Sequence, residues 1–347
     1  MGMGHTRACM PEMASIIFAS PLRLCIYLRC TDGVDVKKLL GCWPAFPITV
    51  TYTRRKGIDS DDEDNVLAAL EHSDRVHHLC LHIREDQLAK LDTVIQKPFP
   101  MLTKLRLWRK SWPKLALPSG FLCGSAPRLQ ELELEDILLP DLPMFLLSTR
   151  DLVTLKLSGI LEAYISPETM VTCIASLTRL TSLSINFTFS HAFYSDQLDL
   201  APVTRTRTVF PTLTSIGFDG VIRYVEDLVS RIDCPRLNSL DLYPRDPSVD
   251  LQVSEIYKSI NRSEDPLLTC FDWVGVDVKS HHIGLKASYK HPHYIAIFIS
   301  LDRFWCQNWQ VSHIFQVFSQ FSAMLSNVRH LSVDISKIPD ITPTDLD

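Results

Sequence analysis

Three groups of histidines are the first residues in this chain whose types and spacing suggest chemistry. They are His77-His78 with His82 nearby, His281-His282, and His291-Pro292-His293. Imidazoles bind zinc, but a zinc site needs four donors at set spacing, and no Cys or carboxylate joins these histidines in that way. Neighbouring residues of a strand also point to opposite faces, so a His-His pair does not easily serve one ion. They read as polar surface or loop histidines, and no metal is expected. The acidic run Asp59 to Asp64 lacks the Gly and the terminal Glu of a calcium loop. It reads instead as a solvated loop feeding a helix N-terminus, where carboxylates are favoured. Gly2 with Thr6 fits the myristoylation pattern, which is permissive enough to arise by chance. Phosphate loops, dinucleotide fingerprints, nucleophile elbows and His-Glu-x-x-His sites are absent from the sequence. The expectation is a protein with no catalytic residues and no cofactor, which works by contact.

The elements that would make such contacts are written in a recurring phrase. A proline is followed two residues later by an apolar residue, which opens the spacing apolar-x-x-apolar-x-apolar. It runs Pro100, Leu102, Leu105, Leu107; then Pro127, Leu129, Leu132, Leu134; then Pro211, Leu213, Ile216, Phe218. It returns as Pro235, Leu237, Leu240, Leu242 and as Pro266, Leu268, Phe271, Trp273. Without the proline it appears at Val76-Leu79-Leu81, Leu152-Leu155-Leu157, Leu180-Leu183-Ile185 and Val328-Leu331-Val333, with a degenerate copy at Ile295 and Phe298. From 76 to 268 the opening residues step by 26, 27, 23, 28, 33, 24 and 31. A period of about 20–29 residues with this spacing is the signature of a leucine-rich repeat. The fold class expected is therefore α/β: a curved horseshoe solenoid, with parallel strands on the concave face and helices or turns on the convex face.

Each copy supplies one short strand whose second and third apolar residues point inward. Parallel strands are expected at 79–81, 105–107, 132–134, 155–157, 183–185, 216–218, 240–242, 271–273 and 331–333. Proline cannot donate to a ladder, so it sits at the strand entrance. Between strands, helices are expected with Asp64 capping Asn65 to Glu71, and on the spacing of Leu88, Leu91 and Ile95. Another starts at Ser166-Pro167-Glu168, with Ser as N-cap and Pro at the first helical position. Two more carry Val225, Leu228, Val229 and Ile232, and the apolar residues from Trp309 to Leu325. The segment from Leu115 to Ala126 has room only for a tight turn.

The outward positions of successive strands are the candidate binding residues. Lys104, Arg106 and Trp108 stand beside Glu131, Glu133 and Glu135, with Lys156 beyond; Asp241 and Tyr243 follow on a later strand. Strands lie about 4.8 Å apart, so the unlike charges face one another. They form either a lateral ion-pair ladder that keeps the face soluble or a mixed-charge recognition surface with Trp108 and Tyr243 as aromatic anchors. The longest gap in the series holds His191-Ala192-Phe193-Tyr194 and Arg205-Thr206-Arg207, and insertions in a repeat map to loops on one rim.

Composition bounds the rest. The chain has 347 residues, of which 46% are hydrophobic, and a formal net charge of −5. That charge, and bands of both signs on the strand face, give no basis for nucleic-acid binding. The 10 cysteines form no Cys-x-x-Cys; Cys80, Cys123, Cys173, Cys234 and Cys270 fall in or near repeat elements and read as small buried hydrophobes in a reducing compartment. No run is long enough to span a bilayer, and Ala14 to Ala19 is too short for a signal core. A cytoplasmic or nuclear protein that binds no membrane is expected.

One stretch carries a family resemblance. Ile16-Ile17-Phe18-Ala19-Ser20-Pro21-Leu22 is followed by Leu28-Arg29-Cys30-Thr31, by Trp43-Pro44-Ala45-Phe46-Pro47-Ile48, and by Asp61-Asp62-Glu63-Asp64-Asn65 before Ala68-Ala69-Leu70 and Ser73-Asp74-Arg75-Val76. With Asp151-Leu152-Val153 and Ser166-Pro167-Glu168 later on, the ordered series resembles the F-box/leucine-rich-repeat proteins expanded in mushroom-forming fungi. The resemblance implies the substrate-recognition half of a ubiquitin-ligase receptor, with a protein target as partner. In that family an F-box of about three helices ends in a phrase like Ile17 to Pro21, so residues 1–20 are expected to be a remnant of its last helix and 21–347 the irregular repeat solenoid. The Leu-Pro-apolar start of an F-box is not found here, so binding of the cullin-ligase adaptor is not expected. A stand-alone binding or decoy protein is the alternative.

Overall fold

The computed structural model describes residues 25–30, 35–42, 46–52, 61–109, 115–159, 165–187, 207–220, 222–244, 273–279, 282–288, 296–302 and 328–337. Parallel pairing dominates, and helices alternate with the strands in parts of the chain. The chain divides into two units, Met1–Pro140 and Asp141–Asp347.

In the first unit β1 (Ile26–Arg29), β2 (Ile48–Tyr52), β3 (Val76–His82) and β4 (Lys104–Trp108) run parallel in that order. A short β5 (Leu115–Ala116) precedes β6 (Glu131–Glu135), which pairs parallel with β4. β7 (Ile137–Leu138) pairs with β5 in a small second sheet. Helices α1 (Val36–Cys42), α2 (Asp61–Leu70) and α3 (Glu85–Ile95) follow β1, β2 and β3 in turn. Between β5 and β6 there is only a tight turn, Phe121–Gly124, in which buried Leu122 and exposed Cys123 take left-handed backbone (φ 51° and 56°). Such a conformation is unfavourable for residues with a Cβ; burial of Phe121 and Leu122 holds it in place.

In the second unit β8 (Thr154–Ser158), β9 (Ser182–Asn186), β11 (Ser215–Gly220) and β13 (Ser239–Pro244) are parallel neighbours. β10 (Thr208–Val209) pairs with β12 (Ile232–Asp233). Helices α4 (Leu142–Ser148), α5 (Pro167–Ala175) and α6 (Ile222–Arg231) accompany them. Beyond β13 come β14 (Trp273–Lys279), β15 (His282–Ser288), β16 (Ala296–Asp302) and β17 (His330–Lys337) in the chain, but the sheet order is β13-β16-β15-β14-β17. β16 is parallel to β13; β15 is antiparallel to both β16 and β14; β17 is parallel to β14.

The alternation expected within strands holds. Leu79, Leu105 and Leu132 lie in register, as do Leu81, Leu107 and Leu134, and all are at most 1% exposed. Leu155 with Leu183, Ile216 and Leu240 continues the pattern in the second unit. Before each strand the opening leucine closes a turn: Leu102 N–H donates to Phe99 O, Leu129 to Ala126, Leu180 to Leu177 and Leu237 to Cys234, at 3.0–3.1 Å. Pro100, Pro127 and Pro235 thus hold the second position of a β-turn, where a fixed φ near −65° is favoured. The next residue bonds sideways to the neighbouring repeat, as from Thr103 N–H to His77 O, Thr181 to Val153 and Thr214 to Thr181, each at 2.9 Å.

Several expectations need correction. The copy at Pro266 does not stack on the one before it: β13 is followed laterally by β16, and β14 lies beyond an antiparallel excursion. In β16 it is Ile297 and Ile299 that lie in register with Leu240 and Leu242, while Phe298, the residue the degenerate copy placed inward, lies opposite Asp241. Only residues 280–281 separate β14 from β15, and a parallel crossover needs a dozen or more. Asp64 does not cap its helix, because α2 already begins at Asp61 and the acidic run makes its first turn, where exposed amides favour carboxylates. Cys123 is exposed and Cys80 half-buried, whereas Cys173 and Cys234 are buried as expected; burial raises the Cys234 thiol pKa to about 12. The Ser166 cap forms, accepting from Thr169 N–H at 3.1 Å with Pro167 first in the helix. Residues 1–24, 188–206, Cys270, Phe271 and the expected 309–325 helix lie outside the described residues.

A polar cluster joins the helices of the first unit to its sheet. Glu63 Oε1 accepts from Arg84 Nη2 and Gln87 Nε2, both at 2.9 Å, and its Oε2 from Lys90 Nζ at 2.5 Å. Gln87, 5% exposed, also donates to Tyr52 Oη at 2.9 Å and accepts from Arg84 N–H. These groups close one side of a cleft whose apolar wall is Val66, Leu81, Ile83 and Leu91. The hydrogen bond from Lys90, opposed by burial and reinforced by Gln87 and Arg84, holds the Glu63 carboxyl below its ordinary pKa of 4.5.

Two outcomes follow from this packing. Leu132→Ala and Leu155→Ala should each destabilise the fold by about 2–5 kcal/mol through lost transfer energy and the cavity left behind. Urea denaturation measures this, and a cost under about 1 kcal/mol would contradict the inward register. For Glu63, a depressed folded-state pKa gives stability that is present above the unfolded value and lost as pH falls through the folded one. Glu63→Gln should therefore lower stability at neutral pH, with the gap to wild type closing below about pH 4.5; a gap independent of pH would show that the carboxylate charge is not what matters.

Candidate functional site

The strand face of the first unit is built by the register of its leucines. With Leu105, Leu107, Leu132 and Leu134 turned inward, period-two alternation turns the residues between them outward. Three rows result. Tyr27, Thr49, His78, Lys104 and Glu131 form the first, Arg29, Thr51, Cys80, Arg106 and Glu133 the second, and His82, Trp108 and Glu135 the third. Tyr27 is 57% exposed and Thr49 is buried; the others lie between half-buried and exposed.

Cross-strand ion pairs occur where the spacing implied them. Lys104 Nζ pairs with Glu131, and Arg106 Nε lies 3.2 Å from Glu133 Oε2. Lys104 and Arg106 keep 42% of their side-chain surface exposed and their partners 49% and 29%, so each pair contributes at most about 1 kcal/mol. The Arg106 guanidinium also stands over the Trp108 ring, 5.2 Å from its centroid, within the range of a cation–π contact. His82 meets Trp108 edge-on at 6.0 Å. Burial first, then His77 and Lys104, push the His78 pKa down and favour its neutral form; burial likewise raises the Cys80 thiol despite Arg106.

The third row differs from the other two. Glu135 lies in register with Trp108, not with a cation, and among the described residues no cation pairs with it. Its own strand ends there: Arg109 N–H donates to Glu135 O at 3.0 Å, and Asp136 turns the chain with φ 55°.

In the second unit the corresponding face carries short side chains. Thr154, Ser182, Ser215 and Ser239 share one row; Lys156, Ser184, Gly217 and Asp241 the next; Ser158, Asn186, Asp219 and Tyr243 the third. Lys156 is exposed and Tyr243 is 38% exposed. Asn186 Nδ2 donates to Asp219 Oδ2 at 2.9 Å. Burial, then the charges of Asp241 and Asp219, raise the Tyr243 pKa.

The His77-His78 pair corrects a sequence expectation. Their rings do not diverge to opposite faces; the centroids are 4.4 Å apart. The pairing of β2 with β3 shifts by one residue at this point, from Ile48 opposite Val76 to Thr49 opposite His78. An extra residue of this kind is a β-bulge, and it re-aims the side chains. His77 is occupied structurally, with Thr103 Oγ1 3.3 Å from its Nε2 and donating to its carbonyl at 3.2 Å. Among the described residues no three His, Cys, Asp or Glu gather as a metal site. His281, His291 and His293 are outside them.

Tyr27 and Arg29 on β1 were not anticipated, because β1 lacks the proline-leucine phrase. The Glu63, Gln87 and Tyr52 cluster was also missed, since no spacing rule links residues so far apart in sequence. Among the described residues no helix is long and apolar enough to cross a membrane. No family model matches the chain, and neither does any curated protein or any solved structure.

Proposed function

We propose that this chain is a protein-binding module of the leucine-rich-repeat solenoid type, with its parallel strands as the concave contact face, and that it serves as the substrate-recognition part of an F-box type ubiquitin-ligase receptor. The observation that carries the binding reading is the strand face of the first unit. Its exposed charges and aromatics stand in rows fixed by a buried leucine register, so they are presented rigidly while contributing little to folding. Rigid presentation lowers the ordering cost of association. Charge patterns of both signs give partner choice and register more than raw affinity. The ubiquitin link rests on the sequence resemblance.

The experiment is partner capture by the tagged full chain, compared with Glu131→Lys/Glu133→Lys. Both carboxylates are partly exposed, so each reversal should cost within about half a kcal/mol of stability while abolishing capture of the specific partner. Thermal melts of both proteins separate lost binding from lost folding. Unchanged capture by a folded double variant would place the contact surface elsewhere. For the ligase reading, the half-life of the captured protein should change when the chain is overexpressed, because a recognition half shields its target from the ligase unless it also recruits the adaptor. A half-life that stays constant while capture persists would overturn the ubiquitin role and leave a stand-alone binding protein.

A further inference from the structure

β6 presents three carboxylates at alternate positions, and β4 answers only two of them with cations. Glu131 pairs with Lys104 and Glu133 with Arg106, but Glu135 lies in register with Trp108. We propose that the third row is the anchor for a cationic side chain of the partner, an arginine or lysine in an exposed basic segment, held between the Glu135 carboxylate and the Trp108 ring. The proposal rests on the binding-module reading above and names the chemistry its partner must bring.

Three observations bear on it. The first is charge complementarity. Glu135 is half-buried and has no cationic partner among the described residues, so an incoming cation meets an acceptor that is not already neutralised; at Glu131 or Glu133 it would have to displace Lys104 or Arg106. The second is that the indole takes a cation: the Arg106 guanidinium, itself paired with Glu133, stands 5.2 Å from its centroid, and a partner's cation would share the ring with it. The electron-rich face of Trp is the best aromatic partner for a guanidinium or ammonium. The carboxylate on the adjacent strand, whose backbone lies about 4.8 Å away, adds the countercharge that such a group requires. The third is recurrence. In the second unit the same row sets Asp219 in register with Tyr243, again a carboxylate beside a partly exposed aromatic on adjacent strands.

An acidic partner is disfavoured by the same geometry. It would be drawn to Lys104 and Arg106, whose charges are matched by Glu131 and Glu133, and would meet Glu135 as an uncompensated like charge. Trp108 is confined by its neighbours, with His82 edge-on at 6.0 Å on one side and Arg106 along the strand, so the anchor exists before the partner arrives.

The test uses the full chain and three blocked peptides of equal length: Gly-Arg-Gly-Arg-Gly, its lysine counterpart and its glutamate counterpart. Titration into the millimolar range at low ionic strength is followed by the indole N–H resonance of Trp108, assigned with Trp108→Phe. The basic peptides should move that resonance and the acidic one should not. Glu135→Gln should weaken the basic peptides roughly two- to fivefold, the effect of one exposed charge contact with a cation–π partner. Glu71→Gln, an exposed carboxylate outside the strand face, should change nothing. A resonance that moves with the acidic peptide, or with none, would overturn the proposal; so would equal effects of the two Gln variants. Capture of a partner that is lost in Glu131→Lys/Glu133→Lys but is indifferent to Glu135→Gln would sink the cationic anchor while sparing the binding-module reading. Failure of both sets would sink that reading as well.

Discussion

The lateral register of the inward leucines is the constraint on which the rest of each unit depends. Leu105 lies between Leu79 and Leu132, and Leu107 between Leu81 and Leu134, without a slip. A shift of one residue would turn every core side chain to solvent and every charge into the core. Two local devices prevent it. The opening leucine closes a four-residue β-turn before the strand, and the residue after it bonds to the neighbouring repeat. The proline that marks the repeat in the sequence is therefore part of the register mechanism, fixing the turn that sets where each strand begins.

Legibility in the sequence followed that mechanism closely. Strands with the full phrase, such as Glu131–Glu135 and Ser239–Pro244, fall where the spacing placed them. Where the phrase is absent, so was the signal. β2 reads Ile48-Thr49-Val50-Thr51-Tyr52, an apolar-polar alternation without the leucine phrase, and the burial of Thr49 departs from that alternation. The antiparallel excursion was hidden for a different reason. An apolar phrase looks the same in a parallel and an antiparallel strand, and only the two-residue link between β14 and β15 distinguishes them. The His77-His78 geometry depends on a bulge, which is a property of the pairing and not of the sequence of one strand.

The Glu63 cluster shows a limit of another kind. The acidic run around it reads as solvated because charge runs usually are, yet the Glu63 side chain is only 13% exposed. Its partners come from residues 84, 87 and 90, one turn and a half of a different helix. A buried carboxylate is tolerable only when its oxygens are satisfied. Here three donors converge on two oxygens, and Gln87 passes the connection on to Tyr52 at the end of β2. The same composition that suggested a loop supplies a polar bolt between a helix pair and the sheet.

The two strand faces also show how a repeat can vary its surface while keeping its core. In β4, β6, β8, β9, β11 and β13 the two central inward positions are leucine, isoleucine or phenylalanine. The outward positions diverge: paired charges and an indole in the first unit, hydroxyls and a glycine across most of the second. Crowding explains part of the second pattern. A Cβ added at Gly217 would stand 3.2 Å from Ser184 Oγ, so a side chain there would require Ser184 to give way. Behind the strands Phe187 packs against Phe218 and Tyr224 in an aromatic cluster. In the first unit no such restriction operates between β4 and β6, and long charged side chains can stand side by side. Their energetic contribution to folding is small because they remain wet, which leaves their identities free to be set by contact with another molecule.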